Sequence, residues 1–192
     1  MNYYRDLVTT KSWQLLQHLA KNYNFVLIGG WAVWLYTRQL KSKDIDLVIE
    51  FDELAKLKAA YPLTKNDRLK KYEIIQSEIH IDIYVPHYSR LGLPAENILK
   101  SAVSLAGFRV PPPETLLILK QTASTNRVGS SKGRKDLIDI ISLLLLPQLD
   151  WSRIPQSILV PLKSQTSIPE LDLNSHQFSR LKQKWANMLN LN

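Results

Sequence analysis

Residues 25–50 read FVLIGGWAVWLYTRQLKSKDIDLVIE. A short apolar run meets Gly29-Gly30, and after a spacer of thirteen residues an Asp-Ile-Asp opens a second apolar run. The pattern predicts a buried strand over Phe25–Ile28, a tight glycine turn, a helix over Trp31–Gln39 and a second strand over Asp44–Phe51. Strand side chains alternate between faces, so Asp44 and Asp46 share one face and Ile45 takes the other. Two like charges on one face persist only when solvated or neutralised, and a divalent ion neutralises both at once.

The neighbouring segments extend this pattern. A charged helix is expected from about residue 52 to 60, then two nearly contiguous strands, KYEIIQSE (71–78) and IHIDIYVP (79–86), forming a hairpin or bent ribbon. In the latter, Ile79, Ile81, Ile83 and Val85 line one face, and His80, Asp82 and Tyr84 the other. Asp82 therefore becomes a third carboxylate of the cluster if its strand pairs beside that of Asp44. VSLAGFRV (103–110) reads as a further strand, and Pro111-Pro112-Pro113 ends the ladder and starts a helix over residues 114–124. Residues 125–133 read as a polar loop, and RKDLIDIISLLLL (134–146) as an apolar-faced helix. Leu7, Trp13, Leu15, Leu16 and Leu19 predict an opening amphipathic helix over residues 4–21. Residues 151–175 carry no clear pattern, and 175–191 predict a closing basic amphipathic helix.

The fold class expected is α+β: a mixed sheet flanked by helices over residues 1–110, with a helical region, 111–192, packed on it. The chain's 192 residues, 45% apolar and 22% charged, can bury a core of that size. With no cysteine, disulfides and thiolate metal sites are excluded. His18, His80, His87 and His176 are scattered, which argues against zinc and leaves oxygen ligands suited to Mg²⁺ or Mn²⁺. No apolar run nears the roughly 20 residues of a membrane helix and no leader pattern is visible, so the expected location is the cytoplasm, away from membranes. A net charge of +8 favours polyanionic partners. GSSKGRK is not a phosphate-binding P-loop, because Gly129 and Gly133 stand too close together and Arg134 takes the place of the lysine.

LIGGWAV, the thirteen-residue spacer, DIDLVI and the later IDIYV together resemble the signature of the DNA polymerase β-type nucleotidyltransferase superfamily. Among its small prokaryotic members the chain is similar to the minimal nucleotidyltransferases and the AbiEii-like toxin enzymes. LLILKQTASTNR and GRKDLIDIISLL extend that similarity at Lys120, Arg134, Lys135, Asp136 and Asp139. One departure is plain: where many members carry Gly-Ser, this chain has Trp31 after Gly30, which leaves backbone donors for a phosphate and no hydroxyl.

The resemblance implies a nucleotidyltransferase fold and transfer of a nucleoside monophosphate from an NTP such as ATP to an acceptor hydroxyl. It implies two Mg²⁺ or Mn²⁺ ions, with Asp44, Asp46 and Asp82 as metal ligands and catalytic carboxylates. Asp44 and Asp46 would bridge both ions, and Asp82 would serve the ion nearer the attacking hydroxyl. Gly29 and Gly30 would hold phosphate oxygens at a helix N-terminus. Arg38, Lys43, Lys120, Lys132, Arg134 and Lys135 are the basic candidates for the triphosphate, Lys120 and Lys135 foremost. Asp136 and Asp139, three apart on one helix face, could orient Lys120 or Arg134. The acceptor classes are RNA or tRNA, a protein, or a small molecule, and the toxin-like members add a cognate antitoxin or other small partner. Two alternatives stay open at this level: a binding module that uses the fold without turnover, and a basic nucleic-acid-binding protein whose acidic strand is structural.

Overall fold

The computed structural model describes residues 2–127 and 129–158. Helix α1 (Asn2–Asn22) buries Val8, Ser12, Leu16 and Leu19, a stripe of three- and four-residue steps. Strand β1 (Val26–Ile28) is wholly buried and runs directly into α2 (Gly29–Thr37). Gly30, Trp31, Ala32, Val33 and Leu35 of α2 are all buried, so this helix is covered on most sides and has no polar stripe. It stops at Arg38, which takes a left-handed conformation (φ 57°) and donates its N–H to the Trp34 carbonyl.

The chain continues through β2 (Ile45–Val48), α3 (Phe51–Ala60), β3 (Leu63–Asn66), β4 (Lys71–Gln76) and β5 (Ile79–Tyr84). Then follow α4 (Ala95–Ser101), β6 (Val103–Leu105), β7 (Phe108–Val110), α5 (Pro113–Thr125), α6 (Ser131–Leu144) and a short 3-10 turn at Trp151–Arg153. Asp52 and Glu53 sit in the first turn of α3, where the helix dipole favours acid. Ser130 caps α6 by accepting the Gly133 N–H at 3.0 Å.

Five strands form a mixed sheet in the order β1-β2-β5-β4-β3, with β2 and β5 parallel and the other neighbours antiparallel. Ile45, Leu47, Ile81 and Ile83 are buried from this sheet. One apolar cluster joins them to Leu116, Leu117 and Leu119 of α5 and Ile140 and Leu143 of α6. The two C-terminal helices thus share the sheet's core and position the site that lies between them and the strands.

Several local expectations change. Residues 103–110 form a hairpin and not one strand: Ala106 (φ 50°) and Gly107 (φ 83°) are both left-handed, the geometry of a tight two-residue hairpin turn. Strand β3 and helix α4 add elements that the pattern did not show, and α6 begins at Ser131, inside the segment read as a loop. The predicted closing helix, 175–191, lies outside the described residues.

Candidate active site

The central feature is a row of side chains running across the sheet. Register pairs Ile28 with Asp46, Asp46 with Asp82, and Asp82 with Glu73, so the four occupy one face of β1, β2, β5 and β4. Three carboxylates therefore stand side by side on adjacent strands. The alternation argument required Asp82 to lie beside the Asp46 strand, and the parallel β2–β5 pairing puts it there.

Gly29 explains how Asp46 fits beneath the start of α2. Its backbone is left-handed (φ 68°), and a Cβ at this position would fall 2.0 Å from Asp46 Oδ2 and 2.6 Å from Cγ. The space expected for a phosphate at this glycine is taken by the Asp46 carboxylate itself. Gly30 makes a different close approach: a Cβ there would meet Ser42 Oγ at 2.8 Å and Lys135 Nζ at 3.4 Å. Trp31 faces the core, 1% exposed, and its indole N–H donates to Ser12 Oγ at 2.9 Å. The hydroxyl beside the glycine turn is thus that of buried Ser42, which sequence reasoning missed.

These three carboxylates and the neighbouring Asp44 differ in their partners. Asp82 Oδ2 accepts from Lys71 Nζ at 2.6 Å, and the same ammonium lies 2.8 Å from Glu73 Oε1. Lys71 holds the Glu73 carboxyl below its ordinary range, with burial opposing and an Asn66 hydrogen bond assisting. Asp46 has no cation within ion-pair distance among the described residues, and burial, followed by the Asp82 charge, pushes its carboxyl up to about 6; Lys120 pulls against this and Asp44 adds to it. Asp44 lies one residue before β2, with Oδ2 3.7 Å from Lys132 Nζ and a buried Oδ1 that has no hydrogen-bond partner among the described residues.

A second charged cluster spans α5 and α6. Lys120 Nζ sits 3.0 Å from Asp136 Oδ1 and 2.7 Å from Asp139 Oδ2, and Arg127 reaches Asp136 Oδ2 at 3.3 Å. Burial works against the Lys120 charge, but Asp139 and Asp136 overcome it and hold the ammonium above its ordinary range. Asp139 is shifted upward by its own burial against the pull of Lys120. The two acids on one face of α6 orient Lys120, and not Arg134.

The other basic candidates separate by position. Lys135, on α6, places its Nζ 3.4 Å from Ser42 Oγ, and burial lowers its ammonium below the ordinary value. Exposed Lys43 and Lys132 line a cavity with Lys41, Lys135, His80 and Asp44. Arg38 stacks over Trp34, 4.4 Å from the ring centre, and exposed Arg134 lines neither of the cavities beside the carboxylates.

Those two cavities adjoin different carboxylates, one at Asp46 and the other at Asp44. One, of about 390 Å³, is lined by Gly29, Asp46, Lys71, Tyr84, Lys120 and Arg127 together with Leu69, Leu91, Leu116 and Leu119. The other, of about 680 Å³, is the lysine-lined space at Asp44. Both lie within the size range of small-molecule sites. Besides Ser42, the side chains in these clusters not anticipated are Lys71, Glu73 and Arg127. Lys-x-Glu on a strand hairpinned to the Asp82 strand was a usable signal for the first two, whereas Arg127 carried none.

Among the described residues no three His, Asp or Glu side chains converge closely enough to cage a metal ion. Asp44 and Asp46 nevertheless suit a hard divalent ion that keeps its remaining positions for water and phosphate, because one has an unpartnered buried oxygen and the other lacks a bonded cation. At Asp82 the fit is poorer, since Lys71 already occupies one carboxylate oxygen.

No protein-family model and no curated protein sequence matches the chain. Solved structures do. The antibiotic-resistance factor ANT(2'')-Ia aligns with 97% of this chain and 100% of its own at 13% identity and a TM-score of 0.53. A candidate nucleotidyltransferase from H. pylori aligns over 85% of this chain and 77% of its own, at 18% identity and a TM-score of 0.50. The Megavirus polyadenylate synthase aligns over 77% of this chain but 32% of its own, at 15% identity and a TM-score of 0.51. Taken with the mixed sheet and its flanking helices, these likenesses show that the chain has the α+β nucleotidyltransferase fold.

Proposed function

We propose that this protein is a metal-dependent nucleotidyltransferase, moving a nucleoside monophosphate from an NTP to an acceptor hydroxyl with release of pyrophosphate. The observation that carries the reading is the pairing of Asp46 with Asp82 on adjacent parallel strands beneath the N-terminus of α2. A divalent ion held by Asp44 and Asp46 would supply Lewis-acid activation of the α-phosphate and neutralise triphosphate charge.

The chain's own groups supply the rest. Ser42 Oγ and the Lys135 ammonium stand together beside Gly30, where a phosphate oxygen meets both a hydroxyl donor and a positive charge. Lys132 and Lys43 add an entry field at the Asp44 end, and the apolar wall of the smaller cavity offers a surface for a base or acceptor ring. Asp82 keeps Oδ1 available to receive the acceptor's proton while Lys71 holds Oδ2. The acceptor is RNA, protein or a small hydroxyl compound. The similarity to AbiEii-like enzymes adds the proposal of a toxin with its antitoxin, and that part rests on sequence resemblance alone.

The test is to incubate the protein and Mg²⁺ with each labelled NTP in total RNA and in cell extract, and to ask which species takes up label as pyrophosphate appears. Asp46→Asn and Asp82→Asn are each expected to cut transfer by about 10³-fold, the scale of losing a main transition-state electrostatic contact. Undiminished transfer in both variants would falsify this mechanism.

A further inference from the structure

The Lys71 ammonium is fixed by the hairpin that carries it. Lys71 and Glu73 are two residues apart on β4 and share a face, and the β4–β5 register sets Glu73 opposite Asp82. The side chain reaches both acids, 2.6 Å from Asp82 Oδ2 and 2.8 Å from Glu73 Oε1. Glu73 is in turn held by Asn66, whose Nδ2 donates to the two carboxylate oxygens at 3.2 and 3.3 Å. Lys71 is 9% exposed and lines the same cavity as Asp46.

The third acid of the row is therefore neutralised by a cation that belongs to the chain. An ion bound at Asp82 Oδ2 would have to displace this ammonium, leaving a buried lysine to one partner or none, which is unfavourable. The other end of the row is the reverse case: Asp46 lacks a bonded cation and Asp44 has a buried oxygen without a partner.

Resting on the nucleotidyl-transfer reading, we propose that the Lys71 ammonium occupies the place of the acceptor-side metal ion, so that the site takes one divalent cation, at Asp44 and Asp46, and not two. Lys71 then supplies the fixed positive charge beside the attacking oxygen, and Glu73 is the positioning residue that holds it. This revises the two-ion expectation that came with the family resemblance.

The experiment counts Mn²⁺ bound per chain by equilibrium dialysis with inorganic tripolyphosphate on both sides, a probe that needs neither the correct base nor turnover. The wild type is expected to bind one ion. Lys71→Met opens Asp82 and is expected to bind two, whereas Lys71→Arg, which keeps the charge, stays at one. Asp82→Asn, which does not depend on the Lys71 variant folding, also stays at one. Two ions in the wild type falling to one in Asp82→Asn, or one ion in a folded Lys71→Met, overturns the proposal. No bound ion in the wild type, equal to Asp46→Asn, instead removes the metal-dependent reading on which it rests.

Discussion

Two clusters of charge meet at this site, a partly buried one carried by the sheet and a more deeply buried one carried by the helix pair, and they are built on opposite principles. In the α5–α6 cluster two acids, Asp136 and Asp139, face two bases, Lys120 and Arg127, at 2.7–3.3 Å. In the strand row Asp46, Asp82 and Glu73 face the single ammonium of Lys71, and the acid left over is the one whose proton is held up to about 6. A balanced cluster neutralises its own charges and needs nothing further to bind. An unbalanced one is costly until something positive binds, and it persists where binding is the purpose. On this contrast we propose that the helix cluster acts mainly as support and the row carries the chemistry, with Lys120, which the family resemblance sets with Lys135 foremost among the phosphate ligands, as the residue that tests the division.

Removing one member of the balanced cluster should have the largest effect on stability. Lys120→Met leaves two carboxylates buried without their shared ammonium, and breaking a buried pair from one side typically costs about 3–5 kcal/mol. Urea denaturation at neutral pH checks this. The double variant Lys120→Met, Asp139→Asn should recover part of the loss, because the burial that raises the Asp139 proton affinity then acts on a neutral amide. If Lys120→Met keeps full stability and loses only NTP affinity, Lys120 belongs with the row and the division fails.

Asp46 should behave in the opposite way. Its carboxyl is raised in the folded chain, from 3.8 to about 6. Below about pH 3 both folded and unfolded chains carry the proton, and Asp46 neither adds nor removes stability. As pH rises through this window the unfolded chain ionises first, so folding loses stability until about pH 6 and stays at the lower level above it. Asp46→Asn escapes that penalty. It is expected to be more stable than wild type by up to about 3 kcal/mol at pH 8 without metal, and equal to it at pH 3. Thermal melts at the two pH values decide this, and saturating Mn²⁺ should close most of the pH 8 gap by stabilising the wild type alone.

Much of this arrangement was legible in the residues. Alternation placed Asp44, Asp46 and Asp82 on candidate strands with their apolar neighbours turned away, and the three-residue step from Asp136 to Asp139 put both acids on one helix face, leaving Lys120 and Arg134 as the bases they could orient. What was not legible depends on tertiary approach. Gly29 reads as a turn or a phosphate cradle, and only the folded chain shows that Asp46 fills its missing Cβ. The Lys71 contact depends on hairpin register, which fixes Glu73 opposite Asp82. Strand β3 is a partly exposed edge of four residues without apolar alternation, and the seven residues of α4 are too few to establish a helical period. Ala106-Gly107 splits an apolar run into a hairpin through backbone conformation, which residue hydrophobicity does not report.

The smallest expected effect tests where the row ends. Lys132 is 70% exposed and 3.7 Å from Asp44 Oδ2, a pair whose worth for stability is within about 1 kcal/mol. Its position on the lysine-lined cavity gives it another use: a mobile positive charge beside Asp44 raises the local concentration of a triphosphate. Lys132→Ala should therefore leave the melting temperature nearly unchanged and raise the KM for NTP by about threefold at low salt, an effect that shrinks as the Debye length falls below about 8 Å. Arg134, two residues away on the same helix and exposed, lines neither cavity, so Arg134→Ala is expected to change neither quantity. Steady-state kinetics of both variants at two salt concentrations separates them. Equal losses in the two would mean that the general charge of α6, and not the cavity at Asp44, draws in the nucleotide, and the unbalanced row would then extend no further than Asp46.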